Sequence, residues 1–385
     1  MKKVLIVTGT RAEYGLLKPL IKKLIKLKKS DIGLLVTGTH LEKKFGFSIS
    51  EIEKDKLPIW GRIKINAKGY GPDSICNSLS IAIKKFSSFL KNVLPDMVVL
   101  LGDRYEILAM ANVATIYKIP IAHIHGGEAT EGLIDEAIRH SITKMSHLHF
   151  TSTNIYKKRV IQMGEKPNLV FNVGALGVEN LKEIKKYSKI ELEKFYKIKF
   201  KKYIFLITYH PVTLSNESPE IDINEILSSL NHFNETTFFF SYPNADTNSY
   251  KILKPIEKFI KKNKQSAIMV KNLGFEKYIS LMNISSVIVG NSSSGIIEAP
   301  SVKVPTVNIG IRQNGRIKAK SVLSCENDRA SITKTIKKAL SKKFKNQINK
   351  YDNPYSKNNT SFLIADIINK IDEKKLLLKT FHNIK

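Results

Sequence analysis

The sequence predicts an α/β protein built from two doubly wound, Rossmann-like domains that face a cleft. Short apolar, β-branched segments alternate with amphipathic stretches, which is typical of parallel sheets wrapped by helices. The alternation occurs twice along the chain. A length of 385 residues exceeds what one hydrophobic core usually organises, and a hydrophobic content of 42% is enough for two cores. We therefore expect two domains of the same general type.

Each half of the chain contains five predicted strands. The first five are Val4–Val7, Leu34–Thr37, Met97–Leu101, Ile119–Ile124 and Leu148–Ser152. The second five are Tyr203–Ile207, Thr237–Phe240, Ala267–Val270, Ser286–Val289 and Thr306–Ile309. We place one domain at residues 1–175 and the other at 190–360, with the charged stretch 176–189 as a linker. A C-terminal helix near 361–376 is expected to pack back on the first domain.

The net charge of +29 raises the question of nucleic-acid binding. The basic residues are eight arginines and 55 lysines, and the lysines are scattered over probable helix faces. Five of the arginines instead lie in compact segments beside Gly, Asp, His or Asn. This distribution indicates a solvated basic surface, because net charge bears on solubility more than on fold. We expect no nucleic-acid partner.

The chain has no apolar run of the roughly 20 residues that a membrane-spanning helix needs, so we expect no membrane association. The apolar start of the sequence is interrupted by Gly9, Arg11 and Glu13, unlike the apolar region of an export signal. Cys76 and Cys325 lie far apart and have no metal-site spacing. These features together predict a cytoplasmic protein.

Polar motifs follow the predicted strands at their carboxyl ends, where ligands of open α/β sheets bind. The segment Gly290–Gly295 joins an apolar strand to a predicted short helix that ends near Glu298, and its serines and backbone N–H groups suit a diphosphate. Glu298 is placed to bond a ribose hydroxyl. Arg11 and Arg104 also follow strands, where a guanidinium can bind phosphate oxygens in a forked geometry. The residues of this predicted nucleotide site include Ser292, Ser293, Arg312 and Arg316.

The segment 123–140 is dense in histidines and acids, which raises the possibility of metal ligation. Its spacing matches no metal site, and we predict none. Instead, the start of a predicted helix would present carboxylates to a sugar. Asp103, expected to be buried at a strand end, is a candidate for proton transfer. His210 follows a strand in the second half, where it could contact a diphosphate or help to protonate a leaving group.

Nine ordered motifs between about Lys3 and Tyr355 resemble the hydrolysing UDP-N-acetylglucosamine 2-epimerases of sialic acid biosynthesis. They are GTRAEYG, VTGTH, LGDRYE, IHGGE, DEAIRHSITKMSHLH, YHPVT, PNAD, GNSSSG and IRQNGR. The resemblance implies the two-domain architecture of GT-B type glycosyltransferases. It also implies loss of the C2 proton with anti elimination of the nucleotide, followed by hydration of a 2-acetamidoglucal to N-acetylmannosamine, without a cofactor. Gly102-Asp103-Arg104 is similar to the hydrolysing branch, since non-hydrolysing relatives typically have Gly-Asp-Thr there.

Carried over by motif, the resemblance divides the site residues into two sets. The catalytic set is Asp103, Glu128, Asp135, Glu136, Arg139 and His210. The substrate- and nucleotide-binding set is Arg11, Glu13, His40, Arg104, His125, Asn244, Ser292, Ser293, Glu298 and Arg316. Two departures matter: His125 replaces a glutamate of the animal bifunctional enzyme, and Glu13 replaces the usual aspartate. Relatives imply a homodimer or homotetramer with a nucleotide-sugar substrate.

Several alternatives stay open at this point. Closely similar enzymes use UDP-2,4-diacetamido-trideoxy sugars or GDP-linked N-acetylglucosamine for legionaminic acid, and few pocket substitutions separate such substrates. A GT-B glycosyltransferase shares the scaffold, and fold does not dictate function. A nucleic-acid-binding protein is the alternative outside enzymes.

Overall fold

The structure is a computed structural model that describes residues 1–43, 46–65, 71–214, 218–243, 249–270 and 273–384. The chain forms two compact units. Unit 1 comprises Met1–Glu128, Ile134–Asn180 and Lys357–Lys385, and unit 2 comprises Ala129–Leu133 and Leu181–Ser356. The chain therefore crosses from one unit to the other four times, and neither unit is a single continuous segment. None of the described helices is long and apolar enough to cross a lipid bilayer.

Unit 1 is built on a seven-stranded parallel sheet. Its strands are β1 (Lys2–Thr8), β2 (Ser30–Thr37), β3 (Ile59–Ile63), β4 (Met97–Leu101), β5 (Ile121–Ile124), β6 (Leu148–Thr151) and β7 (Val170–Asn172), in the order β3-β2-β1-β4-β5-β6-β7. Its helices are α1 (Arg11–Leu27), α2 (Ile49–Lys54), α3 (Pro72–Val93), α4 (Tyr105–Ile116), α5 (Asp135–Met145) and α6 (Asn154–Gln162).

Unit 2 is built on a six-stranded parallel sheet. Its strands are β8 (Tyr203–Thr208), β9 (Thr236–Ser241), β10 (Ala267–Val270), β11 (Val287–Gly290), β12 (Thr306–Ile309) and β13 (Val322–Cys325), in the order β10-β9-β8-β11-β12-β13. Helix α7 (Leu176–Glu183) spans the change from unit 1 to unit 2. The helices that follow are α8 (Lys189–Tyr196), α9 (Pro219–Leu230), α10 (Ser249–Lys262), α11 (Phe275–Ile284), α12 (Ser294–Ile297), α13 (Arg329–Leu340), α14 (Lys342–Ile348) and α15 (Thr360–Lys370), the last of which belongs to unit 1.

Both sheets are buried on both faces. In β1, Val4 and Ile6 belong to one core and Leu5 and Val7 to the core on the opposite face. Strand β8 alternates in the same way. Successive side chains of a strand point to opposite faces, so a strand covered on both sides is a continuous apolar run. This pattern explains the predicted interior strands, and the two parallel sheets with flanking helices confirm the predicted α/β class.

Three strands, β3, β7 and β13, were not predicted from the sequence. Each lies at a sheet edge and is only partly buried, so its sequence lacks a long apolar run. The stretch 176–189, expected to be a linker, contains the change from unit 1 to unit 2 between Asn180 and Leu181. Helix α7 occupies its first half, and Leu176 is fully buried. Apolar positions at helical spacing were therefore hidden among the charged residues of this stretch.

Helix α15 is fastened to unit 1 at both ends. The Lys2 ammonium donates to the carbonyls of Ile368 at 2.9 Å and Ile371 at 2.5 Å, where a cation favourably meets the negative end of the helix dipole. At the other end, Glu179 Oε2 accepts the N–H of Ser361 at 2.7 Å and so caps the helix. The helix packs against α1. The last helix of the chain thus completes the first unit.

Candidate functional site

The loop after β1 is closed by two local hydrogen bonds. Thr10 caps α1 by accepting the N–H of Glu13 at 3.3 Å, and Glu13 Oε2 accepts the N–H of Gly9 at 2.8 Å. Arg11 is the first residue of α1 and is partly exposed. The sequence folds this way because threonine is a good N-cap and glycine tolerates the close approach of a carboxylate. This loop holds two of the predicted binding residues, Arg11 and Glu13.

Two buried carboxylates lie beside this loop. Glu13 is 6% exposed and Glu106, from the first turn of α4, is fully buried. Burial, and then the charge of Glu106, raises the pKa of Glu13 to about 8. Arg104 Nε donates to Glu106 Oε1 at 2.9 Å. The raised pKa favours the protonated form of Glu13, and the neighbouring Glu106 fixes Arg104. Sequence reasoning quoted the motif LGDRYE but assigned no role to Glu106.

A buried arginine organises the acids after β4 and β5. Arg139 on α5 is 1% exposed; it forms an ion pair with Asp103, donates to Glu136 Oε2 at 2.7 Å, and donates to the Glu128 carbonyl at 3.0 Å. Burial alone would lower the pKa of Arg139, but the carboxylates, Asp103 first, raise it. A fixed guanidinium among carboxylates can orient an acid for proton transfer.

Three further observations describe this acidic cluster. Asp103 was expected to be buried, but its side chain stays 24% exposed because it lies past the strand end. His140 Nε2 bonds Glu136 Oε1 at 3.0 Å, as the predicted helix spacing requires. Asp135 is the first residue of α5, where an acid favourably meets the helix dipole.

His125 lies in a strained part of the β5 loop. Its φ of +69° is in the left-handed region, which a residue with a Cβ rarely adopts, and it is 8% exposed. Its Nδ1 is 2.9 Å from Glu128 Oε1, and the same oxygen accepts the Ser152 hydroxyl at 2.9 Å. Strain of this kind is found at functional sites, where the surrounding structure fixes it. The His125–Glu128 pair adds a third carboxylate group to Asp103 and Glu136 of the acidic cluster.

His40 is fully buried, and both of its ring nitrogens contact neighbouring hydroxyls. Nε2 is 3.0 Å from Thr8 Oγ1, and Nδ1 is 2.8 Å from Ser48 Oγ. Burial lowers the pKa of His40 to about 3, so the ring is neutral at physiological pH. The His40 ring therefore links the segment after β2 to the end of β1, and both of its nitrogens are used in contacts within unit 1.

In unit 2 the loop after β11 is tied to the loop after β8. Asn291 accepts the N–H of His210 at 2.8 Å through its side-chain oxygen and donates its amide to the His210 carbonyl at 2.8 Å. The Asn291 carbonyl accepts from Arg312 at 3.1 Å and from Gln313 at 2.8 Å. The asparagine fixes one residue of the predicted catalytic set, His210, and one arginine at the same point. Its role was not foreseen from the sequence.

The serines of the same loop form their own network. Ser292 Oγ is 3.1 Å from Ser294 Oγ, which is 2.5 Å from the Tyr278 hydroxyl. The predicted helix ending near Glu298 is a single turn, α12, followed by a 3-10 turn at Ala299–Val302. Glu298 itself is 7% exposed. Hydroxyl groups and N–H groups at a strand end are suited to phosphate oxygens.

The predicted site residues are divided between the units. Unit 1 holds Arg11, Glu13, His40, Asp103, Arg104, His125, Glu128, Asp135, Glu136 and Arg139, and unit 2 holds His210, Ser292, Ser293, Glu298 and Arg316. Asn244 lies outside the described residues. Within the part of the chain that the structure describes, no three His, Cys, Asp or Glu side chains are grouped to hold a metal ion.

Two doubly wound parallel sheets, each with charged loops at the carboxyl ends of its strands, define a protein of the GT-B type. The crystal structure of UDP-GlcNAc 2-epimerase from Neisseria meningitidis bound to UDP-GlcNAc has the same fold. It matches with a TM-score of 0.79 and 21% identity, covering 96% of this chain and 100% of that one.

The family model described as UDP-N-acetylglucosamine 2-epimerase matches residues 22–369, and the chain belongs to this family. Polysialic acid biosynthesis protein P7 of Escherichia coli is 42% identical over 386 residues, which is 100% of this chain and 98% of that protein. The GDP/UDP-N,N'-diacetylbacillosamine 2-epimerase (hydrolyzing) of Campylobacter jejuni is 41% identical over 345 residues, 89% of each chain. The family expected from the nine motifs is confirmed.

Proposed function

We propose that the protein is a hydrolysing 2-epimerase that converts UDP-N-acetylglucosamine and water into N-acetylmannosamine and UDP. The observation that carries the proposal is the carboxylate cluster around buried Arg139, built from Asp103 and Glu136, in a chain that is 41–42% identical to relatives named for such pathways. The product is a precursor of sialic-acid-type sugars.

The reaction needs one group to take the C2 proton and another to return a proton to the opposite face. Removal of the C2 proton expels UDP from C1 and leaves a 2-acetamidoglucal. Water then adds its hydroxyl to C1, and C2 receives a proton on the other face. Carboxylates are suited to both transfers when their geometry is fixed. Asp103 fits one transfer because its side chain is partly exposed and its carboxylate is held by Arg139.

The second transfer requires another acid of unit 1. Glu128, oriented by His125 and Ser152 at 2.9 Å each, and Glu136, shared by Arg139 and His140, are the candidates. Each has its position fixed by two partners, so it would reach the sugar without reorganising. Preorganised groups of this kind lower the barrier because no reorientation is needed in the transition state.

The nucleotide is assigned to unit 2. The serine loop offers the hydroxyls of Ser292 and Ser293, and His210 is fixed by Asn291 at the end of the neighbouring strand. Arg312 adds a guanidinium that is anchored on the Asn291 carbonyl. A positive and hydroxyl-rich strand end stabilises the diphosphate both when it is bound and when it leaves.

A second substrate is supported by one observation. The Campylobacter jejuni relative, 41% identical, is named for GDP- or UDP-linked N,N'-diacetylbacillosamine. The chemistry at C1 and C2 is the same for that sugar, and only the groups that contact C4 or the base would differ. We keep this 2,4-diacetamido sugar as the alternative within the same reaction class, as in legionaminic acid synthesis.

NMR of the purified protein with UDP-N-acetylglucosamine in deuterated water tests the proposal. Free UDP together with N-acetylmannosamine deuterated at C2 is the expected result. Formation of UDP-N-acetylmannosamine without free UDP would show that the protein is a non-hydrolysing epimerase. Turnover of the 2,4-diacetamido sugar alone would select the alternative, and no turnover of any of these would refute the 2-epimerase. Asp103→Asn, prepared in parallel, shows that the activity belongs to this protein.

We also propose that the protein is a homodimer or homotetramer, as the resemblance to its relatives implies. We propose a cytoplasmic location, since the reaction consumes a nucleotide sugar made in the cytoplasm. Sedimentation equilibrium of the full chain tests the assembly, and a monomer at micromolar concentration would overturn it.

A further inference from the structure

A histidine that is not part of the predicted site lies behind the Asp103–Arg139 ion pair. His123 is on β5, is fully buried, and its Nε2 is 2.8 Å from the carbonyl of Gly102, the residue before Asp103. Its Nδ1 is 3.2 Å from the Thr143 hydroxyl. Thr143 lies on α5, one turn after Arg139. His123 therefore contacts both segments that carry the ion pair.

The protons of this arrangement can be assigned. Burial lowers the pKa of His123 to about 3, so the ring is neutral at the pH of the cell. A neutral imidazole has one N–H. Because a carbonyl can only accept, Nε2–H donates to Gly102, and Nδ1 carries no proton. The Thr143 hydroxyl has one proton, and its oxygen lies 2.9 Å from the Arg139 carbonyl as well as 3.2 Å from Nδ1. Thr143 therefore links the His123 ring to the backbone of Arg139.

The backbone of Gly102, just before Asp103, forms two hydrogen bonds with neighbouring residues of β5. The N–H of Gly102 donates to the Ile124 carbonyl at 3.0 Å, while the Gly102 carbonyl accepts from His123. Gly102 has a φ of +80°, so the chain turns sharply into Asp103. Without its carbonyl bond, this turn would be anchored by the N–H alone.

The backbone of Gly126 lies close to the Nδ1 side of His123 and to Thr143. A Cβ on Gly126 would lie 3.0 Å from His123 Nδ1 and 3.0 Å from Thr143 Oγ1. The imidazole is thus confined between the β5 loop and α5. Its two hydrogen bonds determine where the Gly102 carbonyl lies relative to the turn of α5 that contains Thr143.

We propose that the His123–Thr143 pair is a positioning device that sets the distance between Asp103 and Arg139, and so the reach of the Asp103 carboxylate. The proposal rests on the proposed function, in which Asp103 transfers a proton. His123 acts through Gly102 and is not a catalytic residue. Displacement of a catalytic group by about 1 Å can lower a rate by about 10²-fold.

The test compares His123→Leu with His123→Gln. We expect His123→Leu to lower kcat by about 10²-fold, while KM and the affinity for UDP change less than about threefold. His123→Gln should recover at least about tenfold of the loss, because a glutamine amide near the Nε2 position can still donate to Gly102. Loss of kcat without rescue by glutamine would overturn the proposal.

His149→Leu is the matched control. His149 is the register partner of His123 on β6, is equally buried, and contacts Glu165 rather than Gly102. We expect it to lower the Tm at least as much as His123→Leu with little change in kcat. An equal loss of kcat in both variants would mean that the effect is structural.

Thr143 supplies a second pair in case the leucine variants do not fold. Thr143→Val keeps the branched shape and removes the hydroxyl, so kcat should fall about tenfold, whereas Thr143→Ser should stay near wild type. Equal activity of the two variants would contradict the proposal.

NMR of the full chain labelled with ¹⁵N-arginine separates this proposal from the proposed function. The chain has only eight arginines, so the guanidinium signal of Arg139 can be assigned by Arg139→Lys. We expect Thr143→Val and His123→Leu to shift that signal, and His149→Leu to leave it in place. If the Arg139 signal shifts in these variants while the wild-type protein turns over no substrate, the positioning role of the His123–Thr143 pair is supported and the proposed enzymatic function is rejected. An unmoved signal would reject the device.

Discussion

One buried carboxyl group, Glu13, should make the stability of the protein depend on pH. Burial and the charge of Glu106 raise its pKa from 4.5 to about 8 in the folded state. Above about pH 4.5 the unfolded chain has lost this proton, whereas the folded chain keeps it until about pH 8. The stabilisation is therefore complete below pH 4.5 and is progressively lost as the pH rises through this window.

The magnitude follows from one proton per molecule. Each pH unit in the window lowers the free energy of unfolding by about 1.4 kcal/mol, and the whole window amounts to about 5 kcal/mol at most. Glu13→Gln places a neutral amide of the same shape at this position and removes the titration. The variant should therefore gain about 1.4 kcal/mol per pH unit relative to the wild type between pH 5.5 and 7.5.

Urea unfolding followed by circular dichroism at four pH values between 5.5 and 8.5 measures this difference. Glu165→Gln is the control, because Glu165 is also buried but its pKa is lowered to about 2, so it does not titrate in this range. An infrared band of a protonated carboxyl group at pH 6.5, absent in Glu13→Gln, gives an independent readout. Parallel pH dependences of wild type and Glu13→Gln would refute the reasoning.

Three further outcomes are expected. Asp103→Asn should lower kcat at least about 10²-fold with unchanged UDP affinity. The control variant Asp31→Asn, at an exposed position, should stay active. Equal turnover of the two variants would remove Asp103 from the mechanism. Gly290→Ala should cost about 3 kcal/mol in urea, since its φ is +131° and a Cβ would lie 2.0 Å from a β8 carbonyl. Lys379→Met should cost about 1–2 kcal/mol by removing a 2.7 Å ion pair with Glu165, and an unchanged unfolding midpoint would show that Lys144 compensates.

The interior strands could be predicted because burial on both faces makes them continuous apolar runs. Met97–Leu101 and Thr306–Ile309 have the predicted bounds. The edge strand Ile59–Ile63 could not be predicted, because a half-exposed strand containing Gly61 and Arg62 has the composition of a loop. An apolar run reports burial, and the edge strands β3, β7 and β13 lack one, whereas the edge strand β10 keeps the apolar run Ala267–Val270 and was predicted.

The candidate site was predictable as a set of charged residues at strand ends, because parallel topology brings those ends to one edge. The pairing of these residues with one another was not predictable. Asp103 and Arg139 are 36 residues apart, and the Glu13–Glu106 pair depends on how two loops meet. His123 reads as part of an apolar strand, and its two polar contacts exist only once β5 lies beside α5.

The return of α15 to unit 1 has a consequence for biosynthesis. A ribosome synthesises nearly all of unit 1 first, then most of unit 2, and only afterwards the helix that covers α1 and receives the Lys2 ammonium. During that interval the apolar face that α15 covers lacks this helix. The unit that is begun first is therefore completed only after the second unit has been synthesised.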